Sequence, residues 1–142
     1  MSNLTQEAVE LLKIGELQNR TGVSIKTIRY YEQLGLIKAV TRTEGGFRLF
    51  NVETIHRLAL IKRAQSLGLS LQEISDILTI RDRGSLPCDQ VKQQLQNKVN
   101  QIEQRIQELQ LLKAQLISLI KNTENLPHEV TEGVICPIIE QF

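Results

Sequence analysis

Along the 142-residue chain the spacing of apolar positions changes from helical to alternating and back, and the changes mark its elements. Residues 14–20 read as a short helix closed by Gly22. Ser24 is the expected N-cap of a second helix running to about Leu34, where Gly35 ends it. Two short helices joined by Thr21-Gly22-Val23 form a helix-turn-helix pattern. Residues 40–42 and 47–50 are β-leaning runs. Between them lies Thr43-Glu44-Gly45-Gly46, whose glycines can take the positive φ of a hairpin turn, so a wing is predicted. Asn51 is the predicted cap of an amphipathic helix to about Leu67, with Ile55, Leu58, Ile61 and Lys62 at helical spacing. Ser70-Leu71-Gln72-Glu73 has the form of a capping box and opens a further helix that fades near Ile80.

Beyond a linker at residues 81–87, no Gly or Pro occurs from Cys88 to Lys121. Apolar residues recur there at Val99, Ile102, Ile106, Leu109, Leu116 and Ile120, in steps of three and four once Lys113 is counted in the seam. A helix of this length spans ~50 Å at ~1.5 Å per residue. That is too long for a small head to cover, and no second helix of matching length exists to fold back on it, so a second copy is the expected cover. Lys113 on the seam, with Leu112 and Leu119 beside it, makes the stripe drift, and an antiparallel pair fits at least as well as a parallel zipper. The fold class expected is therefore mostly α: a winged helix-turn-helix head followed by a long antiparallel coiled-coil dimerisation helix. Its segments are an acidic N-terminal arm or frayed helix (1–12), the head (13–80), the linker (81–87), the dimerisation helix (88–121) and a terminal loop with a short helix (122–142).

A formal net charge of +1 conceals an asymmetry. Residues 13–67 hold ten Lys and Arg against four Glu, a balance of +6, whereas residues 1–12 carry −2 and residues 68–142 carry seven cations against ten acids, −3. A basic head on a mildly acidic stalk suits a polyanion partner, although a basic solvated face would show the same count. An apolar content of 41% is ordinary for a globular chain. No export-type leader and no apolar stretch approaching ~18 residues is present, so the cytoplasm is the expected location and no membrane partner is expected. Two cysteines, 48 positions apart and outside any CxxC pair, suit free thiols in a reducing compartment. There is no Ser-His-Asp set, phosphate loop or paired-carboxylate motif, so an enzyme is not expected.

The start of the second helix carries Ser24, Lys26, Thr27 and Arg29, donors and positive charge where a recognition helix meets the major groove. A solvated helix face would look similar. Longer motifs are more specific: Ile14-Gly15-Glu16-Leu17, Gly22-Val23, Thr27-Ile28-Arg29-Tyr30-Tyr31-Glu32, Gly35-Leu36-Ile37, Arg42-Thr43-Glu44-Gly45-Gly46-Phe47-Arg48-Leu49-Phe50, then Ala64 and Leu67-Gly68-Leu69-Ser70-Leu71. In this order, and nearly without gaps from Lys13 to Ile120, they closely resemble the MerR family of transcriptional regulators. The resemblance implies that Arg29 and Tyr30, with Arg42 and Arg48 in the wing, carry much of the grip on phosphate. Arg offers a planar fork to phosphate oxygens, and a Tyr hydroxyl is a neutral donor at physiological pH. Tyr31 is expected as packing, and Phe47 and Phe50 are expected to pin the wing to the head. The resemblance further implies a homodimer seated between two promoter elements spaced too widely for RNA polymerase, with ligand binding bending and untwisting the double-stranded DNA and so acting on polymerase indirectly. Such a switch requires a ligand that prefers one dimer conformation.

Cys88 follows Pro87 at the expected start of the long helix, where the helix dipole favours a thiolate, and Cys136 precedes Pro137-Ile138-Ile139-Glu140, an expected short helix. Either could be merely a small apolar group. In metal-sensing MerR proteins, however, a residue at the head of the dimerisation helix reaches the C-terminal loop of the other subunit, and Cys-Pro-Ile-Ile-Glu resembles the end of that loop. This chain lacks a cysteine at the loop's first position: counted from the helix, Thr123 stands there; counted back from Cys136, His128 does, and His128 is favoured as a competent imidazole ligand. His56 is read as structural. Two thiolates suit a soft ion held linearly, Hg(II) or Cu(I). Hg(II) is the first choice as effector because with two thiolates it is neutral, whereas Cu(I) leaves a net negative charge that burial penalises. In the family, too, a cysteine at the Cys88 position goes with sensors of divalent ions. Zn(II), Cd(II) or Pb(II) held by Cys88, His128, Cys136 and a fourth donor stays open. The alternatives are a thiol-based redox or electrophile sensor and an adaptor that dimerises without binding DNA, the latter disfavoured by the basic head and the wing.

Overall fold

In the computed structural model residues 10–140 are described. They form β1 (Leu11–Lys13), α1 (Ile14–Thr21), α2 (Ile25–Gln33), β2 (Thr41–Arg42), β3 (Arg48–Asn51), α3 (Glu53–Ser66), α4 (Leu71–Asp82) and α5 (Cys88–Lys121). The chain divides into two units, residues 1–95 and 96–142, and the division falls within α5.

In the first unit, α1 ends at Gly22, whose φ of 73° closes the helix through a hydrogen bond from its N–H to the Gln18 carbonyl at 2.9 Å. The Gln18 side chain then accepts from the Ile25 N–H at 3.0 Å, so α1 itself holds the start of the next helix. Ser24 caps α2 as expected, its hydroxyl accepting from the Thr27 N–H at 3.2 Å. Ser70 and Glu73 complete the anticipated capping box of α4. Asn51, by contrast, is the last residue of β3 and does not cap α3. Val52 occupies the cap position with helical dihedrals, and the Asn51 amide oxygen lies 3.5 Å from the Thr54 hydroxyl. Strand pairing claims the Asn51 backbone, which is opposite Leu11.

The three strands form an antiparallel sheet in the order β1-β3-β2. Leu12 lies opposite Phe50, and both are fully buried. This differs from the loose arm expected over residues 1–12. Residues 1–9 lie outside those described, but Leu11 and Leu12 are strand, because β3 offers an edge and the core a place for the Leu12 side chain. Thr41 and Arg42 pair with Leu49 and Arg48, and the intervening turn closes through hydrogen bonds from the Thr43 N–H to the Phe47 carbonyl and from the Gly46 N–H to the Thr43 carbonyl, at 2.8 and 2.9 Å. Gly46, at φ 84°, supplies the left-handed conformation that this hairpin requires.

The core gathers Leu12, Leu17, Ile28, Tyr31, Leu36, Ile37 and Phe50 with Leu58, Ile61, Ala64, Leu69, Ile74, Ile77 and Leu78. Arg57 ties it together at the edge. Its guanidinium donates to the Leu36 carbonyl at 2.7 and 2.9 Å and to the Asp82 carboxylate at 2.6 and 3.3 Å. α4 runs two residues beyond its expected end at Ile80 and ends at this Asp82.

In α5 Gln94 is the one buried residue, its amide donating to the Glu73 carbonyl at 3.2 Å. In the second unit every apolar residue of the expected seam is exposed. After α5 come turns. The expected short helix at 137–140 is a single α-type turn, closed by the Glu140 N–H on the Cys136 carbonyl at 3.1 Å. Such a turn yields one hydrogen bond, too little to propagate a helix. No helix among the described residues is long and apolar enough to cross a membrane.

Candidate nucleic-acid interface and metal-ligating residues

The outer face of α2 is built by its own periodicity. Ile28 and Tyr31 point into the core, so Lys26, Arg29, Tyr30 and Gln33 share the opposite face and line one shallow depression. Ser24 and Thr27 stand at the head of that face, where each has a structural task. Ser24 caps the helix, and the two hydroxyls are 2.9 Å apart in a hydrogen bond that Ser24 donates. Tyr30 is half exposed with its ring 6.2 Å from that of Tyr31, whereas Tyr31 is buried and its hydroxyl donates to the Gln65 amide oxygen at 2.8 Å. Burial raises the Tyr31 phenol above its ordinary pKa, against a partial lowering by the Gln65 bond and with a small further rise from Tyr30. Tyr31 is thus neutral packing, and Tyr30 is the tyrosine turned outward.

The wing brings two arginines to the same side. Arg48 on β3 meets the Glu32 carboxylate of α2 at 2.6 Å, with 40% of its side chain exposed, and Arg42 donates to the Gly46 carbonyl at 3.4 Å. A partly exposed pair of this kind contributes ~1 kcal/mol or less. Its main consequence is geometric, since it orients Arg48 against the recognition helix. Phe47 departs from expectation. It is 68% exposed and does not pin the wing; Phe50 alone does so. Phe47 precedes the first residue of β3, where the sheet's alternation does not direct it inward, and its ring lies so near Gly45 that a Cβ there would be 3.3 Å away.

Between the wing and the head of α1 lies an open cleft of about 490 Å³, lined by Lys13, Gly15, Arg29, Phe47 and Arg48 among others. Arg29, Arg48 and Lys13 outnumber the one carboxylate lining the cleft, that of Glu16, and with the N-terminus of α1 they offer positive charge and N–H donors to a phosphate backbone. None of Lys13, Gly15, Gln33 and Phe47 is among the DNA contacts expected from the sequence, where Phe47 has a packing role and Gly15 stands only within a motif. The available signal was Lys13 immediately before the first helix, a basic residue at an N-terminus where the dipole disfavours one.

The thiols are placed as follows. Cys88 is the first residue of α5 and is exposed, while Cys136 is half-buried in the terminal turns. Glu140 Oε2 accepts from the Ile135 and Cys136 N–H groups at 3.0 and 2.8 Å. His128 follows Pro127 and is exposed; Thr123 is half-buried in the turn after α5, its carbonyl 3.4 Å from the Leu126 N–H. His56 is exposed on α3. Among the described residues no three His, Cys, Asp or Glu side chains of a single chain converge as a metal site. Thiols are soft donors suited to thiophilic ions, and an imidazole is a borderline one.

Comparison with known proteins adds the following. Residues 12–79 match the model of the MerR HTH family regulatory protein, and residues 55–119 match that of MerR, DNA binding. The mercuric resistance operon regulatory protein of Bacillus cereus is 40% identical over 128 residues, which span 90% of this chain and 94% of the relative. Among solved structures, the transcription regulator PbrR691 of Ralstonia metallidurans CH34 in complex with lead(II) superposes with a TM-score of 0.73 at 30% identity, covering 90% of this chain and 96% of that one. The dual-function transcriptional regulator MerR of Bacillus megaterium MB1 in complex with mercury(II) gives 0.60 at 35% identity, covering 91% and 97%.

Proposed function

Since this chain belongs to the MerR family of transcription regulators, DNA-binding proteins and not enzymes, we propose that it is a homodimeric, metal-responsive regulator whose effector is a thiophilic ion, Hg(II) first. The observation that carries this reading is α5. It opens at an exposed Cys88, and its apolar stripe from Val99 to Ile120 is exposed in the single chain, so a second α5 running antiparallel would cover the stripe. The site would join Cys88 of one copy to Cys136 of the other, with His128 as the third candidate ligand and Thr123 the alternative at that position. Cys88 and Cys136 would hold the ion as thiolates, and Hg(II) held by two thiolates would carry no net charge. Relatives named for mercuric resistance or solved with mercury(II) and lead(II) support thiophilic metals as the class; Zn(II), Cd(II), Pb(II) and Cu(I) are the competitors.

On this reading the head does the mechanical work. Lys26, Arg29 and Tyr30 on α2, with Arg42 and Arg48 in the wing, hold phosphates of promoter DNA, while Ser24 and Thr27 fix the start of the recognition helix. An ion held by the thiols of both copies would favour one dimer conformation, and the paired heads would then bend and untwist the duplex and act on RNA polymerase through the DNA.

The test titrates reduced dimer with Hg(II), Zn(II), Cd(II), Pb(II) and Cu(I), reading promoter distortion and operator affinity for wild type, Cys88→Ser, Cys136→Ser and His128→Ala. Either cysteine change abolishes the metal response while operator affinity survives. Arg48→Ala does the converse: it weakens operator binding and lowers the slope of affinity against salt by about 1. Full metal response in both cysteine variants rejects the site, and a response to peroxide or an electrophile without metal identifies a redox sensor instead.

A further inference from the structure

The terminal turn around Cys136 is held by a residue to which the metal-sensing reading assigns no part. We propose that Glu140 is a positioning residue for Cys136, fixing its backbone so that the thiol is presented in one orientation to a thiophilic ion. The inference rests on Cys136 being a ligand, as proposed above.

Three hydrogen bonds connect the two residues and their neighbour. Glu140 Oε2 accepts from the Cys136 N–H at 2.8 Å and from the Ile135 N–H at 3.0 Å, and the Glu140 N–H donates to the Cys136 carbonyl at 3.1 Å. Both peptide groups flanking Cys136 are therefore engaged by one residue. Bonds from N–H groups to an ionised carboxylate are shorter and stronger than neutral ones. Pro137 contributes from the other side: its ring fixes its own φ and restricts the preceding Cys136 to extended dihedrals. With the backbone of Cys136 constrained in this way, the freedom left to its sulfur is rotation about χ1. Elsewhere in the segment the described structure consists of turns, with Val130 and Ile135 fully exposed and Cys136 and Pro137 half-buried. A loop this poor in contacts presents a ligand in many orientations unless something local selects one, and a single carboxylate doing so lowers the ordering cost at the moment of binding.

Oε2 is committed to two backbone donors, and removal of outer partners that orient a ligand typically costs 10–100-fold in metal affinity. Gln at position 140 retains a carbonyl oxygen that can accept the same two bonds, whereas Ala cannot.

The experiment measures Hg(II) affinity of the reduced full-length dimer by competition with a small thiol, following the thiolate-to-mercury absorption band, for wild type, Glu140→Ala, Glu140→Gln and Cys136→Ser. Glu140→Ala is expected to lose ~10-fold in affinity, Glu140→Gln to stay within about threefold of wild type on the same grounds, and operator affinity of the metal-free protein to be unchanged in both. Wild-type Hg(II) affinity in Glu140→Ala, with Cys136→Ser abolishing the band, overturns the positioning role while leaving the sensor reading intact. Equal losses in the Ala and Gln variants overturn it as well, because charge or direct ligation would then be at work. A fall in metal-free operator affinity has the same consequence. An unaltered band in Cys136→Ser removes the premise itself.

Discussion

In the head Leu12, Leu17, Ile28, Phe50, Leu58, Ile61 and Ile74 are fully buried, whereas on α5 beyond residue 95 the stripe from Val99 to Ile120 is 46–69% exposed. The two regions are similarly apolar in pattern, and each has helices with correct periodicity. They differ in whether one chain can supply the cover. The head closes its helices with caps, turns and a small sheet, so its core is completed locally. The distal part of α5 has lateral polar contacts such as Gln96 to Asn100 at 3.1 Å and Arg105 to Glu108 at 3.4 Å, which contribute a few tenths of a kcal/mol each. Periodicity therefore states that a face will be covered without stating by what. Where the chain cannot cover it, stability becomes a function of concentration.

Two substitutions separate these regimes. Phe50→Ala empties the junction of β1, β3 and the core and is expected to cost ~3–5 kcal/mol, a large part of the ~5–15 kcal/mol that holds a domain together. Urea unfolding should show the loss equally at low and high protein concentration; a concentration-dependent loss would mean that Phe50 acts at an interface. On the stripe, Ile106→Asp combined with Leu109→Asp forgoes roughly 1.5–3 kcal/mol per aliphatic side chain and places charge where a partner helix would lie. Sedimentation should then show a monomer whose head still unfolds cooperatively while operator binding is lost. Dimeric behaviour with full operator affinity would place the dimer surface elsewhere on the molecule.

The same contrast explains how much could be read beforehand. Signals confined to a few adjacent residues were legible: Ser24 as a cap, Ser70 with Glu73 as a capping box, Gly22 and Gly35 as helix ends, the Gly45-Gly46 turn between two short strands. Features requiring a distant partner were not. Leu11 and Leu12 became a strand because β3 was available beside them, 38 or more positions away in the chain, and an apolar pair after an acidic segment carries no sign of that. Asn51 looked like a cap, but its backbone was already claimed by the sheet, so local preference yielded to tertiary pairing. Phe47 and Phe50 were indistinguishable as aromatic residues of one short run, yet strand alternation buries the second and leaves the first at the rim of the cleft beside α1. Arg29, Arg42 and Arg48 could be named from family likeness, but the Glu32 carboxylate that orients Arg48 emerges only once α2 and β3 lie side by side. Of the proposed metal ligands, Cys88 stands at a helix start and His128 and Cys136 lie in the turns after α5, and no local signal in the sequence says which side chains would meet.

Tyr31 provides the smallest and most selective probe of the head alone. Its buried hydroxyl donates to Gln65 at 2.8 Å, and burial, the largest influence on it, raises its pKa above the ordinary value of 10.0. A phenol whose folded pKa is raised gives stability that is complete below its unfolded value and is lost as pH climbs through the folded one, since the buried anion is disfavoured. Tyr31→Phe removes one hydrogen bond, and because Gln65 is exposed enough for water to replace the donor, the cost at neutral pH should be about 0.5–1.5 kcal/mol. The variant should also unfold less readily with rising alkali than wild type does, so the two stability curves converge as pH passes the raised value. Parallel curves through that range would show that Tyr31 ionises without penalty, and that the boundary between the inward and outward tyrosines of α2 is softer than its 7% exposure implies.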